Sequence, residues 1–159
     1  MAGTSMQVEL KILRYDPERD AAPHWETYSV VADPMDRVLD LLHKVKFEQD
    51  GTLTFRRSCA HGVCGSDAML INGRTRMACS ALVDRLVEEH PDGIELRPMS
   101  KFPVVRDLAV DRSVLFENLK AVKAWVPIDG TYDLGWGPKV SLEDQEKSYP
   151  LSRCISCCW

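Results

Sequence analysis

The chain has 159 residues, of which 45% are hydrophobic and 28% charged, and its formal net charge is −4. This length leaves room for one domain or two small ones, and the composition is that of an ordinary globular protein. The charge gives no indication of nucleic-acid binding. No apolar run approaches the roughly 18 residues of a membrane span, and the first residues lack the charged and apolar regions of a secretory signal.

Three segments of the first hundred residues have the pattern of β-strands. From Val8 to Ile12, apolar and charged residues alternate, which predicts a strand with one buried face. A polar turn over 16–23 precedes a second strand over 25–31, which is rich in aromatic and β-branched residues. A further strand is predicted over 93–97.

A helix is predicted between the second strand and the cysteine-rich region. Asp33 is placed as its N-cap, with Pro34 at the first helical position and Gly51 marking its end. Its apolar residues recur at helical spacing and predict one packed face: Val38, Leu41, Leu42 and Val45.

The residues with the clearest chemical signal lie between Arg56 and Cys79. Cys59 and Cys64 have the spacing C-x4-C, and Asp67 occupies the position of the next cysteine in a plant-type C-x4-C-x2-C…C run. The dipeptide at 72–73 is Asn-Gly, which predicts a two-residue hairpin turn pairing Asp67 with Ala78. Asp67 and Cys79 should therefore emerge side by side at the open end of the hairpin.

We interpret Cys59, Cys64, Asp67 and Cys79 as the ligands of a 2Fe-2S cluster. Three buried thiols beside a surface aspartate are the simplest alternative, although a glycine-rich loop is a poor core segment. Zinc is an intermediate possibility, but its usual paired C-x2-4-C spacing is absent. Asp67 itself is either a ligand or a hydrogen-bond acceptor beside the cluster.

The order of these elements predicts a β-grasp. Two strands, a helix, a cysteine-bearing loop, a hairpin and a last strand follow one another as in plant-type ferredoxins. The fold class is therefore α+β. Residues 101–111 have the irregular composition of a linker between two units.

A second, helical part is predicted after the linker. Asp111 or Ser113 can cap a helix that ends before Pro127, and a short charged helix begins at Ser141. The first of these helices has the apolar stripe Leu115, Leu119, Val122 and Val126.

Three further cysteines lie at the end of the sequence. Cys154 and Cys157 fit the start of a bacterial-type C-x2-C-x2-C-x3-C-P run, in which Cys158 has no ligand position. A C-x2-C pair is also compatible with a redox pair or with half a zinc site.

The cysteine-rich segment resembles a known family. Its sequence is Arg-Arg-Ser-Cys…Gly-Val-Cys-Gly-Ser-Asp-Ala-Met…Asn-Gly…Ala-Cys, and it resembles the iron–sulfur subunit of succinate dehydrogenase and fumarate reductase. Aspartate at the third ligand position is a variant known in that family. Ala60 and His61 stand where the family usually has Arg-Glu. The likeness extends from about Gln7 to the last residue.

The resemblance implies a plant-type ferredoxin β-grasp domain followed by the start of an α-helical, bacterial-ferredoxin-like domain. The corresponding predicted division is 1–104 and 105–159. The resemblance favours a 4Fe-4S motif at Cys154 and Cys157. Because family members continue beyond this point to complete a 4Fe-4S and a 3Fe-4S site, the sequence is expected to be C-terminally truncated.

The resemblance also implies a function in electron transfer. A flavoprotein subunit would oxidise succinate on FAD, and the chain would relay single electrons towards quinone at a membrane anchor on the cytoplasmic face of a bacterial inner membrane. The chain should not be catalytic alone, because it lacks a dinucleotide fingerprint. Its four histidines also form no catalytic constellation: His24, His43, His61 and His90. Two alternatives remain, a stand-alone 2Fe-2S ferredoxin-like carrier and a zinc-binding interaction module.

Overall fold

The computed structural model describes residues 5–122 and 141–151. The first unit is built on a five-stranded sheet with strand order β2-β1-β5-β3-β4. Its strands are β1 (Met6–Arg14), β2 (His24–Ala32), β3 (Ala68–Ile71), β4 (Arg74–Met77) and β5 (Ile94–Arg97). Strand β1 is parallel to β5, and the other neighbouring pairs are antiparallel.

One face of this sheet is apolar and forms the core. In β1, Val8, Leu10 and Ile12 are buried while Glu9 and Lys11 between them are exposed, as the alternation predicted. Helix α1 (Val38–Lys44) contributes four buried residues to the same core: Val38, Leu39, Leu41 and Leu42. The mixed sheet with its covering helix confirms the predicted α+β class and β-grasp order.

The predicted start of α1 was wrong. Asp33 is not its N-cap, because the Asp33 and Asp36 backbones close a turn and the helix begins at Val38, with Arg37 in the N-cap position. The amide of Val38 donates to Ala81 O at 3.0 Å, and the amide of Leu39 donates to Ala78 O at 3.0 Å. The first amides of α1 are therefore satisfied by the segment around Cys79, a long-range partner that local capping rules do not reveal.

The helical segment ends just before Gly51, as predicted, but its last turn is not α-helical, and it is followed later by a helix that was not predicted. After Lys44 the chain continues as a π-helical turn over Val45–Gln49, which ends before Gly51. Helix α2 (Val83–Glu89), which was not predicted, buries Val83 and Leu86. Their spacing of three residues was a short helical signal.

Residues 101–111 are more ordered than a linker. They contain a two-stranded ribbon of β6 (Val104–Arg106) and β7 (Ala109–Val110), and Leu108 belongs to the main core. Asp107 is 2% exposed, and it accepts hydrogen bonds from the Arg14 guanidinium and from the Tyr15 and Thr54 amides at 2.8–3.0 Å. These contacts fix the segment to β1 and to the loop before the cysteines.

The chain divides into two compact units between Asp111 and Arg112. The predicted domain boundary, after residue 104, falls inside the β6–β7 ribbon.

The second unit contains helices α3 (Ser113–Ala121) and α4 (Leu142–Leu151). Leu115 and Leu119 are half-buried, whereas Val126 and Pro127 lie outside the described residues. Asp111 and Ser113, the predicted capping residues of α3, lie on either side of Arg112, which occupies the N-cap position. Within 5–122 and 141–151, no helix has the length and apolar character needed to cross a membrane.

Candidate metal centre

The loop from Cys59 to Cys64 coils tightly because several of its residues adopt left-handed backbone conformations. Gly62 has φ 81° and Gly65 has φ 64°, a region open to glycine without steric cost. Ala60 adopts φ 59°, which is unusual for a residue with a β-carbon. The coil turns the backbone amides of the loop inward, towards the cysteine sulfurs.

Backbone amides surround both sulfurs of the C-x4-C segment. The amides of Val63 and Cys64 donate to Cys59 Sγ at 3.4 and 3.3 Å. The amides of Cys59 and Ser66 donate to Cys64 Sγ, each at 3.5 Å. Such donors stabilise negative charge on sulfur, which favours the thiolate form of Cys59.

The hairpin brings the other two predicted ligands together. Strands β3 and β4 pair Ile71 with Arg74 in the register set by the Asn-Gly turn, and the Ala78 amide donates to Asp67 O at 3.2 Å. The Cys79 amide then donates to Asp67 Oδ2 at 2.6 Å. The predicted adjacency of Asp67 and Cys79 is therefore present.

The two halves of the site meet at Gly62. A β-carbon built on Gly62 would lie 3.9 Å from Met77 Cε, so the loop lies against the end of β4. The cysteine loop therefore covers the open end of the hairpin.

The cysteines differ in their acid–base properties. Hydrogen bonds from the His61 and Cys64 amides lower the pKa of Cys59 to about 6, with further contributions from the Cys64 thiol and the Val63 amide. Burial and the neighbouring Asp67 carboxylate raise the pKa of Cys79 to about 11. Because an iron ligand must be deprotonated, Cys79 needs the positive charge of a bound metal far more than Cys59 does.

Asp67 provides the clearest test of whether the site fits a metal. The residue is 3% exposed, and its Oδ1 atom is buried without a hydrogen-bond partner among the described residues. A buried carboxylate oxygen without a partner is costly and calls for an explanation such as an ion. Since Oδ2 is already satisfied by the Cys79 amide, Oδ1 is the atom that is open for coordination.

The four donors form two contacting pairs rather than one compact group. The amides of Cys59 and Cys64 each donate to the other residue's sulfur, and the Cys79 amide donates to the Asp67 carboxylate. Over residues 5–122 and 141–151, no three His, Cys, Asp or Glu residues are grouped closely enough to hold a single metal ion.

Cys154 and Cys157 lie outside the described residues. Among the histidines, His43 stacks on Phe47 and packs against Phe55, and the His61 ring bonds to Cys59 O at 2.6 Å. Sequence reasoning missed Ser66, whose hydroxyl lies 3.1 Å from Cys64 Sγ. Its position two residues after a predicted ligand was the available signal.

Comparison with known proteins identifies the family. The sequence model described as "2Fe-2S iron-sulfur cluster binding domain" matches residues 9–117, which include all four donors. The chain belongs to this family. Its members bind the kind of cluster that the spacing of Cys59, Cys64, Asp67 and Cys79 predicted.

Curated relatives of this 2Fe-2S family member carry more specific names. The succinate dehydrogenase iron–sulfur subunit of Bacillus subtilis is 44% identical over 145 residues, which cover 87% of this chain and 56% of the relative. The fumarate reductase iron–sulfur subunit of Mycobacterium tuberculosis is 35% identical over 158 residues, covering 95% and 60%. The chain thus spans somewhat more than half the length of these relatives.

A solved structure shows the same fold. A chain of the Mycobacterium smegmatis Sdh1 complex in the apo form matches with a TM-score of 0.75 and 27% sequence identity. The match covers 97% of this chain and 62% of that chain.

Proposed function

We propose that Cys59, Cys64, Asp67 and Cys79 hold a 2Fe-2S cluster. The observation that carries this proposal is the buried Oδ1 atom of Asp67, which is without a partner in the described part of the chain, while the other carboxylate oxygen accepts the Cys79 amide. The family match supports the type of cluster, and the amides around Cys59 and Cys64 support thiolate ligands at those two positions.

The contacts between donors support an assignment of ligands to the two irons. Cys59 and Cys64, whose amides each donate to the other residue's sulfur, would hold one iron, and Asp67 and Cys79, joined by the hydrogen bond from the Cys79 amide to Asp67 Oδ2, would hold the other. The inward-facing amides of the loop compensate thiolate charge on the first pair. Asp67 gives the second pair one hard oxygen donor in place of a thiolate.

The cluster, when bound, supplies one-electron transfer. In the proposed function the chain is the electron-transfer subunit of a succinate dehydrogenase or fumarate reductase, an oxidoreductase complex in which it is not catalytic alone. Its similarity to curated subunits of both enzymes supports this proposal. The chain accepts single electrons from an FAD-containing flavoprotein and passes them towards quinone at membrane anchor subunits. It is peripheral on the cytoplasmic face of the bacterial inner membrane.

The C-terminal part of the proposal follows from the sequence. Cys154 and Cys157 are ligands of a 4Fe-4S cluster, and the whole subunit contains a 3Fe-4S cluster as well. The proposal also includes a ferredoxin-type β-grasp domain, predicted over 1–104, and the beginning of a helical 4Fe-4S domain, predicted over 105–159. Because the compact units divide after Asp111, residues 105–111 belong with the first of these domains.

Iron and sulfide analysis tests the 2Fe-2S site. After anaerobic reconstitution, the chain should hold about two iron and two acid-labile sulfide ions in its ferredoxin-type unit and show a reduced-state 2Fe-2S EPR signal. Cys79→Ser should weaken that signal, whereas Cys158→Ser, at a position without a predicted ligand role, should leave it unchanged. Stoichiometric zinc without sulfide would favour the zinc-binding alternative.

The larger role requires the partner proteins. Co-expressed with the flavoprotein and anchor subunits from its own genome, the gene product should support succinate-dependent quinone reduction. Cys59→Ser should abolish that activity without preventing flavin binding. A protein that stays soluble and transfers electrons without any partner subunit would favour the free ferredoxin alternative.

A further inference from the structure

Ser66 directs two hydrogen-bonding groups at one predicted ligand. Its hydroxyl oxygen lies 3.1 Å from Cys64 Sγ, and its amide donates to the same sulfur at 3.5 Å. The left-handed conformation of Gly65, at φ 64°, turns the chain so that both groups face Cys64. The turn of the backbone brings Ser66 beside Cys64, and the rotamer of its side chain places the hydroxyl at the sulfur.

The direction of this hydrogen bond follows from the state of the sulfur. A cysteine bound to iron is a thiolate and has no proton to donate, so the Ser66 hydroxyl must be the donor. Every other hydrogen bond that the described residues make to Cys59 Sγ or Cys64 Sγ comes from a backbone amide. Substitution can remove a side-chain donor but not a backbone amide.

Hydrogen bonds to ligand sulfurs affect the reduction potential of an iron–sulfur cluster. Reduction adds negative charge that spreads onto the ligand sulfurs, and a donor that points at such a sulfur stabilises the reduced form more than the oxidised form. A hydroxyl at 3.1 Å from Cys64 Sγ is well placed for this effect.

We infer that Ser66 is a positioning residue that raises the reduction potential of the 2Fe-2S centre by donating its hydroxyl hydrogen bond to Cys64 Sγ. The inference rests on the proposed cluster and adds to it a residue that tunes the ease of electron uptake. The side chain touches a ligand and does not itself coordinate iron.

Redox titration of the reconstituted full chain tests this inference, with the 2Fe-2S EPR signal as the readout. Ser66→Ala should lower the midpoint potential by an amount on the order of 59 mV, a tenfold change for a one-electron couple. Ser66→Thr keeps a hydroxyl and should stay near the wild-type potential. Ser80→Ala is the matched control, because Ser80 adjoins Cys79 but its hydroxyl donates to Met77 O.

The outcomes separate this inference from the proposed function. Failure of the wild-type chain to assemble any cluster would refute the proposed function itself. If Ser66→Ala assembles the cluster and keeps the wild-type potential, or shifts it no more than Ser80→Ala does, the inference is wrong. If Ser66→Ala loses the cluster, Ser66→Gly provides a second variant without the hydroxyl. Loss of the cluster in both, but not in Ser66→Thr, would assign Ser66 to cluster assembly and overturn the inferred effect on potential.

Discussion

Substitution of Asp67 by alanine distinguishes a metal ligand from a structural aspartate. If Asp67 is a ligand, the substitution should change the stability of the metal-free chain little, whereas the loss of a structural aspartate should lower that stability. The carboxylate makes one hydrogen bond, from the Cys79 amide to Oδ2 at 2.6 Å. Its other oxygen is buried and has no partner within the described residues. Asp67→Ala therefore removes both the favourable hydrogen bond at Oδ2 and the unfavourable burial of Oδ1.

The two contributions have similar size. A hydrogen bond to a charged group contributes about 1.5–3 kcal/mol, and leaving a buried polar atom unsatisfied costs about 1–3 kcal/mol. Their difference leaves the unfolding free energy of the unloaded Asp67→Ala chain within about 2 kcal/mol of wild type. The loaded chain, in contrast, loses one of its four protein ligands. We expect its retention of iron against a chelator to fall by more than the roughly 100-fold seen when outer partners of metal ligands are removed.

Urea unfolding of the metal-free chain and iron release from the loaded chain measure the two quantities separately. Asp67→Cys should keep the cluster, because thiolate is the softer and more common ligand, and should change the reduced-state EPR spectrum. Asp84→Ala, at an exposed position of α2, is the matched control and should change neither quantity. A loss of more than about 3 kcal/mol in the metal-free chain, with iron retention unchanged, would show that Asp67 is structural and refute the reasoning.

Two further predictions concern the unit that carries the site. Arg14 is 7% exposed and pairs with Asp107, Asp50 and Glu26, so Arg14→Met should lower the unfolding free energy in urea by about 3–5 kcal/mol. The exposed pair of Arg97 and Glu95 is the control, and Arg97→Met should cost about 1 kcal/mol or less; equal losses would contradict the prediction. Burial, together with the positive charge of Arg57, holds the pKa of His43 below its ordinary 6.5. The unfolded chain then binds the proton more readily, so stability should fall as pH drops below about 6.5. His43→Phe should remove this part of the pH dependence while His90→Gln should not, and an unchanged slope in His43→Phe would count against it.

Local sequence rules predicted the elements whose geometry is determined by neighbours along the chain. The Asn-Gly turn fixed the register of β3 and β4, and with it the adjacency of Asp67 and Cys79, because a two-residue turn leaves little freedom in the pairing. Alternation in β1 likewise predicted which of its residues are buried.

The same rules failed where a distant segment supplies the deciding contact. Helix α1 begins at Val38 because the carbonyls of Ala78 and Ala81 accept its first amide hydrogen bonds, so the local cap at Asp33 is not used. The segment predicted as a linker is fixed to the first unit by Asp107, whose partner Arg14 lies on β1 and is separated from it by 93 positions. Neither partner is recognisable from the residues close by in sequence.

The sequence by itself predicted the proposed donor set, because ligand types and their spacing are properties of the chain. It also determined the β-grasp order, because strand and helix periodicities are local. Only the tertiary structure decided how the donors pair, which oxygen of Asp67 is left without a partner in the described part of the chain, and that Ser66 faces Cys64 Sγ. These features depend on backbone dihedral angles at Ala60, Gly62 and Gly65 and on the packing of the loop over the hairpin, and residue identity alone does not fix either of them.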